Sequence, residues 1–172
     1  CIIVPVAIVV TRSCPLSQAI TILVGTMTGT AELVAQEVSD VLGNQGYQSN
    51  IVPMERASAD IFAPGGVFLI VSSTYGNGDV PDNAQQFISD LGSKRPSLAN
   101  VIFGVIALGD TTYKATFCHG GLRFDRLLTD LGAVRAGEPF LHDASSSELA
   151  EDQAAIWVGE WADTELAPAL AA

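Results

Sequence analysis

From Ala19 onward, apolar runs rich in β-branched residues alternate with amphipathic helical stretches, which restricts the chain to strand–helix–strand units repeated on a parallel sheet. Residues Ile20 to Val24 form a buried-type strand that runs into Gly25-Thr26-Met27-Thr28-Gly29-Thr30. A helix follows, with Val34, Val38, Val41 and Leu42 on one face and a stop over Gly43 to Gly46. Tyr47 to Met54 reads as a weaker second strand, followed by a short segment around Ser58 to Phe62. Val67 to Val71 is a continuous apolar run, as expected of a central strand covered on both faces. The next helix carries Phe87, Ile88 and Leu91 and is expected to end at Gly92. Val101 to Leu108 is the fourth strand, Leu122 to Leu131 a helix with Gly132 at its C′ position, and Ala133 to Leu141 the fifth strand. A last helix runs from Ser147 to about Leu166. The fold class is therefore α/β: a three-layer, doubly wound, five-stranded parallel sheet. Right-handed crossovers leave few strand orders, of which 2-1-3-4-5 fits best.

A length of 172 residues is that of one domain. We divide it into an N-terminal extension of unknown role (1–18), the α/β domain (19–166) and a tail (167–172). The extension opens at Cys1 without Met, and its apolar run Ile2 to Val10 is interrupted by Pro5. That run is about half the ~20 residues a spanning helix needs, so no membrane partner is expected. Eight Lys and Arg face nineteen Asp and Glu, a net charge of −11 that repels nucleic acid and anionic lipid. The three cysteines, Cys1, Cys14 and Cys118, form no CxxC pair, so a reducing, cytoplasmic setting without a disulfide framework or metal site is expected.

In open α/β sheets, ligands bind beyond the carboxyl ends of the strands. The loop after strand one gathers three hydroxyls and several backbone amides at a helix start, a chemistry suited to an anion held by N–H groups and the helix dipole. It carries no Lys or Arg, and neither GxxxxGK[ST] nor GxGxxG is present. A plain Thr-capped helix start accounts for this loop alone equally well. The loop after strand three, Ser72 to Asn83, sets Tyr75 beside Gly76 and Gly78. The loop after strand four offers a second aromatic, Tyr113; two phenol rings flanking one site would sandwich a planar heterocycle, while either taken alone reads equally as a surface residue. No acid–base pair, nucleophile or ligand cluster stands out, and His119 and His142 read as surface or structural residues.

In combination, Thr26-Met27-Thr28-Gly29-Thr30-Ala31, Ser73-Thr74-Tyr75-Gly76-Asn77-Gly78-Asp79 with Pro81-Asp82-Asn83, and Ala107-Leu108-Gly109-Asp110 with Tyr113 and Phe117-Cys118 resemble the three FMN loops of flavodoxins. The resemblance is strongest to short MioC-type flavodoxins and to the FMN domains of sulfite reductase and other diflavin reductases, and it spans about Ile20 to Trp161. It implies a flavodoxin-like fold, FMN as cofactor, and one-electron transfer between proteins. It also implies that Thr26, Thr28 and Thr30, with the amides from Met27 to Ala31 (Gly29 included), hold the phosphate. Tyr75 and Tyr113 would flank the isoalloxazine; Ser73, Thr74, Gly76, Asn77, Gly78, Leu108, Gly109 and Asp110 would contact it, with Phe117 and Cys118 completing the third motif. Here three residues, Lys114 to Thr116, separate Tyr113 from Phe117, where the diflavin domains usually have two.

Such a site leaves the redox chemistry to the flavin, while a tyrosine face and an acidic envelope disfavour the negative charge of full reduction and lower the second one-electron potential. The resemblance implies an NADPH-dependent flavoprotein reductase and redox acceptors as partners; the negative charge of this chain asks for basic docking faces on them, and a monomer is expected. Two alternatives share the fold: an FMN-dependent quinone or nitro reductase, and the FMN module of a longer diflavin reductase. A receiver-type signalling domain needs acidic residues where Gly25-Thr26 and Ser73-Thr74 stand.

Overall fold

Strand β1 (Ile20–Gly25) lies between β2 (Ser49–Pro53) and β3 (Gly66–Ser72), and β3 pairs in turn with β4 (Val101–Gly109), all parallel, in this computed structural model, which describes residues 19–172. The sheet order is β2-β1-β3-β4-β5, as the alternation of elements predicts. The 1–18 extension, with Cys1 and Cys14, lies outside the described residues.

Successive side chains of a strand point to opposite faces, so the apolar runs feed two cores. On one face Ile22, Val24, Leu69, Val71 and Leu108 pack against α1 (Thr30–Asn44) and α4 (Ala150–Trp161). On the other, Leu23, Ile70, Phe103 and Val105 meet Phe87 and Leu91 of α2 (Asp82–Lys94) and Phe124 and Leu128 of α3 (His119–Asp130). Burial of β1, β3 and β4 on both faces explains why they read as continuous apolar runs. Single turns of 3-10 helix at Met54–Arg56 and Ala59–Phe62 occupy the poorly marked segment and bury Met54, Ala59 and Phe62.

The expected fifth strand, Ala133 to Leu141, is two short strands. β5 (Val134–Arg135) pairs with Ile102 and Phe103, and β6 (Phe140–Asp143) with Ile106 to Gly109. The cause is Trp161, whose ring lies so close over Gly104 that a Cβ there would sit 2.7 Å from it, and whose Nε1 donates to the Ala136 carbonyl at 2.7 Å. Gly137, at φ +71°, and Pro139, which has no N–H, carry the chain around this point.

Three other boundaries differ. Helix α2 continues past Gly92 to Lys94, where Lys94 lies 3.4 Å from Asp90, and closes on Arg95 in the left-handed region. Helix α3 starts at His119 because Gly120 and Gly121 allow its first turn to lie on Ser73 and Ala107; a Cβ at Gly121 would come within 2.5 Å of the Ala107 Cβ. The last helix starts at Ala150, after a turn held by Asp143, and its axis continues through a π turn (Ala162–Leu166) into α5 (Ala167–Ala171). Residues 167–172, read as a tail, thus include a helical turn with Ala169 and Leu170 against the core.

Candidate functional site

The register Gly25↔Ser72, Ser72↔Ala107 and Gly109↔Asp143 brings the carboxyl ends of β1, β3, β4 and β6 to one edge of the sheet. A cleft of about 730 Å³ opens there, within the range of small-molecule sites. Its walls come from all three predicted loops: Thr30 from the first, Ser73, Thr74, Gly76 and Asn77 from the second, Leu108, Gly109, Asp110 and Tyr113 from the third.

Loop one is pre-shaped. Gly29 takes φ +93°, with no atom within 4 Å of where a Cβ would stand, and its N–H donates to Thr26 Oγ1 at 3.0 Å. The Thr26 N–H donates to Asn83 Oδ1 at 2.9 Å, so the second residue of α2 clamps the loop from the neighbouring helix. Thr28 and Thr30 stand at the surface, and the amides of Thr30 and Ala31 head α1, where first-turn N–H groups have no carbonyl behind them. The Thr26 hydroxyl and amide are engaged within the protein, and Met27, Thr28, Gly29 and Ala31 adjoin the cleft without lining it.

Loop two is a tight hairpin in which Asp79 N–H donates to the Tyr75 carbonyl at 2.8 Å and Tyr75 N–H to the Asp79 carbonyl at 2.9 Å. Gly76 (φ +53°) and Gly78 (φ +91°) occupy left-handed backbone within it. Tyr75 is 51% exposed; it stands beside the lining residues Gly76 and Asn77 rather than among them, as does Gly78. Tyr113, 66% exposed, lines the cleft from loop three. Thr74 ties the two loops, donating from Oγ1 to the Leu108 carbonyl and accepting from the Gly120 N–H.

Loop three is latched by Asp143. Thr111 donates from its amide (2.9 Å) and hydroxyl (2.6 Å) to the two carboxylate oxygens, and Ser145 adds its amide and hydroxyl. The Thr111 hydroxyl bond, with the other donors, holds the Asp143 carboxyl well below the usual carboxylate range. Asp110 accepts from the Thr112 N–H.

Two residues of the third motif lie behind the cleft rather than in its wall. Cys118 is fully buried behind the loop, with its thiol donating to the Ala107 carbonyl at 3.2 Å, and Phe117 packs on the core; neither lines the cleft. Burial pushes the Cys118 thiol up to about 12, aided by nearby Asp143. The backbone of Cys118 abuts Gly109 so closely that a Cβ at Gly109 has no room, which makes this pair a support for the cleft floor. Conversely, Lys114, Ala115, Thr116, His142 and Ala144 line the cleft, although the sequence does not single them out for it. The extra residue between Tyr113 and Phe117 is the signal that could have found the first three.

A sheet that delivers a neutral, amide-rich helix start and glycine-rich loops to one cleft, with the exposed Tyr113 in its wall and the exposed Tyr75 beside it, defines a flavodoxin-like, mononucleotide-binding α/β protein. The flavodoxin family, described as Flavodoxin, matches residues 22–157. Protein MioC of Escherichia coli O157:H7 is 33% identical over 145 residues, covering 83% of this chain and 95% of that protein. The sulfite reductase [NADPH] flavoprotein alpha-component of Shewanella sp. is 38% identical over 120 residues, 69% of this chain but 20% of the relative. Among solved structures, a cysteine-to-alanine mutant of flavodoxin from Pseudomonas aeruginosa has a TM-score of 0.75 at 35% identity, with 84% of this chain and 96% of that one covered. The chain belongs to the flavodoxin family and is an FMN-binding electron-transfer protein.

Proposed function

We propose that the cleft at the ends of β1, β3, β4 and β6 holds the FMN, and that the chain shuttles single electrons from an NADPH-dependent flavoprotein reductase to acceptor enzymes. The observation that carries this reading is a cleft shared by Thr30, the Ser73–Asn77 segment and the Leu108–Tyr113 segment. The phosphate goes to the head of α1, where the hydroxyls of Thr28 and Thr30 and the amides of Thr30 and Ala31 are available to an anion, the Gly29 amide being spent on Thr26 Oγ1. Tyr75 and Tyr113 present ring faces to the isoalloxazine, and the backbone of Gly76–Asn77 and Leu108–Asp110 takes its polar edge. When bound, FMN supplies the electron-accepting ring system; the protein's residues hold it, cover it and set its charge environment.

The partners follow from charge. A chain of net charge −11 with Asp79, Asp82 and Asp110 around the cleft favours encounter with basic docking faces, and acidic residues near an exposed flavin edge steer that encounter more than they tighten it. Among the described residues no helix is long and apolar enough to cross a membrane. A cytoplasmic monomer is part of the proposal and rests on the likeness to bacterial flavodoxins. Electron transfer from a purified NADPH-dependent flavodoxin reductase, followed by stopped-flow absorbance, tests the assignment. A rate that falls steeply between low and high salt supports it, and steady NADPH oxidation by the chain alone favours the quinone or nitro reductase reading instead.

A further inference from the structure

Loop one is joined to the head of α2 by two neighbouring bonds. The Thr26 N–H donates to Asn83 Oδ1 at 2.9 Å, and the Asp82 N–H donates to the Met27 sulfur at 3.4 Å. Asp82 is the first residue of α2, so its amide has no helical carbonyl behind it, and Pro81 before it has no polar side chain to act as a cap. The Met27 thioether thus stands where a cap oxygen ordinarily does. Met27 is also 41% exposed, beside the cleft rather than in its wall. The second methionine of the chain has the opposite setting: Met54 is fully buried, its sulfur 3.1 Å from where a Cβ on Gly25 would stand. A thioether is oxidised where solvent reaches it, and the resulting sulfoxide is a polar group that methionine sulfoxide reductases turn back.

We propose that Met27 is a site of reversible oxidation, and that its sulfoxide weakens the hold of loop one on the FMN phosphate. The oxidant is hydrogen peroxide, which reduced flavins form from dioxygen. Its O–O bond breaks, one oxygen bonds to the Met27 sulfur and the other leaves with both hydrogens as water; the sulfur gives up the two electrons that the peroxide gains. The new oxygen accepts hydrogen bonds better than the sulfur did. It takes the Asp82 N–H at the positive end of α2, and the sulfur, now one bond further from that amide, draws Met27 away from the helix. Met27 lies between Thr26, which Asn83 holds, and Thr28, whose hydroxyl faces the anion, so the displacement falls on the phosphate loop. The effect on FMN rests on the proposed placement of the phosphate.

The test uses the whole chain, stripped of flavin, treated with hydrogen peroxide and titrated with FMN and riboflavin. Mass spectrometry of peptides that separate Met27 from Met54 is expected to find one added oxygen at Met27 and none at Met54. FMN binding is expected to weaken about fivefold, as for the loss of one hydrogen bond, and riboflavin binding by less than about twofold. Methionine sulfoxide reductases are expected to restore both mass and affinity. Met27→Leu, which keeps every cysteine, is expected to lose no affinity on the same treatment, whatever its starting value. Oxidation that reaches Met54 as readily as Met27, an oxidised chain that binds FMN as the untreated one does, or an equal loss in Met27→Leu would overturn the proposal while leaving the FMN site standing. Failure of the untreated chain to take up FMN would overturn both.

Discussion

Thr74 and Leu108 join the second and third loops across the end of the sheet: Thr74 Oγ1 donates to the Leu108 carbonyl at 2.9 Å and accepts from the Gly120 N–H at 3.1 Å. Replacing Thr74 with Val keeps the shape and strands both partners. Leaving buried groups unpaired costs roughly 1–3 kcal/mol. Urea unfolding is expected to show a loss of that size, with weaker FMN binding, and Thr74→Ser should recover most of it.

Asn83 acts at a distance from the ligand. Its Oδ1 accepts the Thr26 N–H, and its Nδ2 lies 3.4 Å from the Val24 carbonyl. Asn83→Ala removes a bond worth about 1 kcal/mol, so an approximately fivefold loss in FMN affinity is expected by fluorescence titration, with a smaller loss for riboflavin because this loop is the one proposed to hold the phosphate.

Gly76 separates strain from clash. At φ +53° a side chain is disfavoured by about 1–2 kcal/mol, yet a Cβ there meets nothing within 4 Å. Gly76→Val is therefore expected to fold and to bind FMN. It should hinder backbone turning at Gly76–Asn77, so that the two one-electron midpoint potentials move closer together in a spectroelectrochemical titration. An unchanged separation would count against that role.

The fold was legible wherever sequence-local patterns decide it. Strand order followed from the apolar runs because central parallel strands are buried on both faces, and the three loops sat where such sheets place ligands. The split of the fifth strand was not legible, since it depends on Trp161 reaching over Gly104 from another helix. The same holds for the site. Gly29, Gly76 and Tyr113 stand out by residue type, whereas Asn83 and Asp143 matter through partners distant in the chain. Cys118 shares its motif with Tyr113, which lines the cleft, while its own side chain turns inward to the Ala107 carbonyl.

Asp143 predicts an acid limb. Its carboxyl titrates lower in the folded chain than in the unfolded one, because Thr111 and Ser145 donate to the charged form. The stabilisation is complete above the ordinary aspartate value of about 4 and is lost as pH falls through the native value. Asp143→Asn should be less stable than the parent in urea at pH 7, with the gap narrowing as pH drops below about 4. A gap constant from about pH 7 to about pH 3 would contradict the latch.

Cys118 predicts the opposite limb. Burial favours the neutral thiol, so its contribution is complete below the ordinary thiol value and is lost as pH climbs from about 9 toward 12. Because the thiolate is the reactive form, iodoacetamide at pH 8 is expected to leave Cys118 unmodified in folded protein and to alkylate it in urea, as read by peptide mass mapping.

Each of these expectations on the flavin depends on the cleft between Thr30, Asn77 and Tyr113 being its site. Equilibrium titration of the flavin-free chain with FMN, read by absorbance and flavin fluorescence, decides it directly. Saturation at one FMN per chain is predicted, with quenched fluorescence and tighter binding than riboflavin. Folded protein, verified by circular dichroism, that leaves FMN free in the filtrate would contradict it.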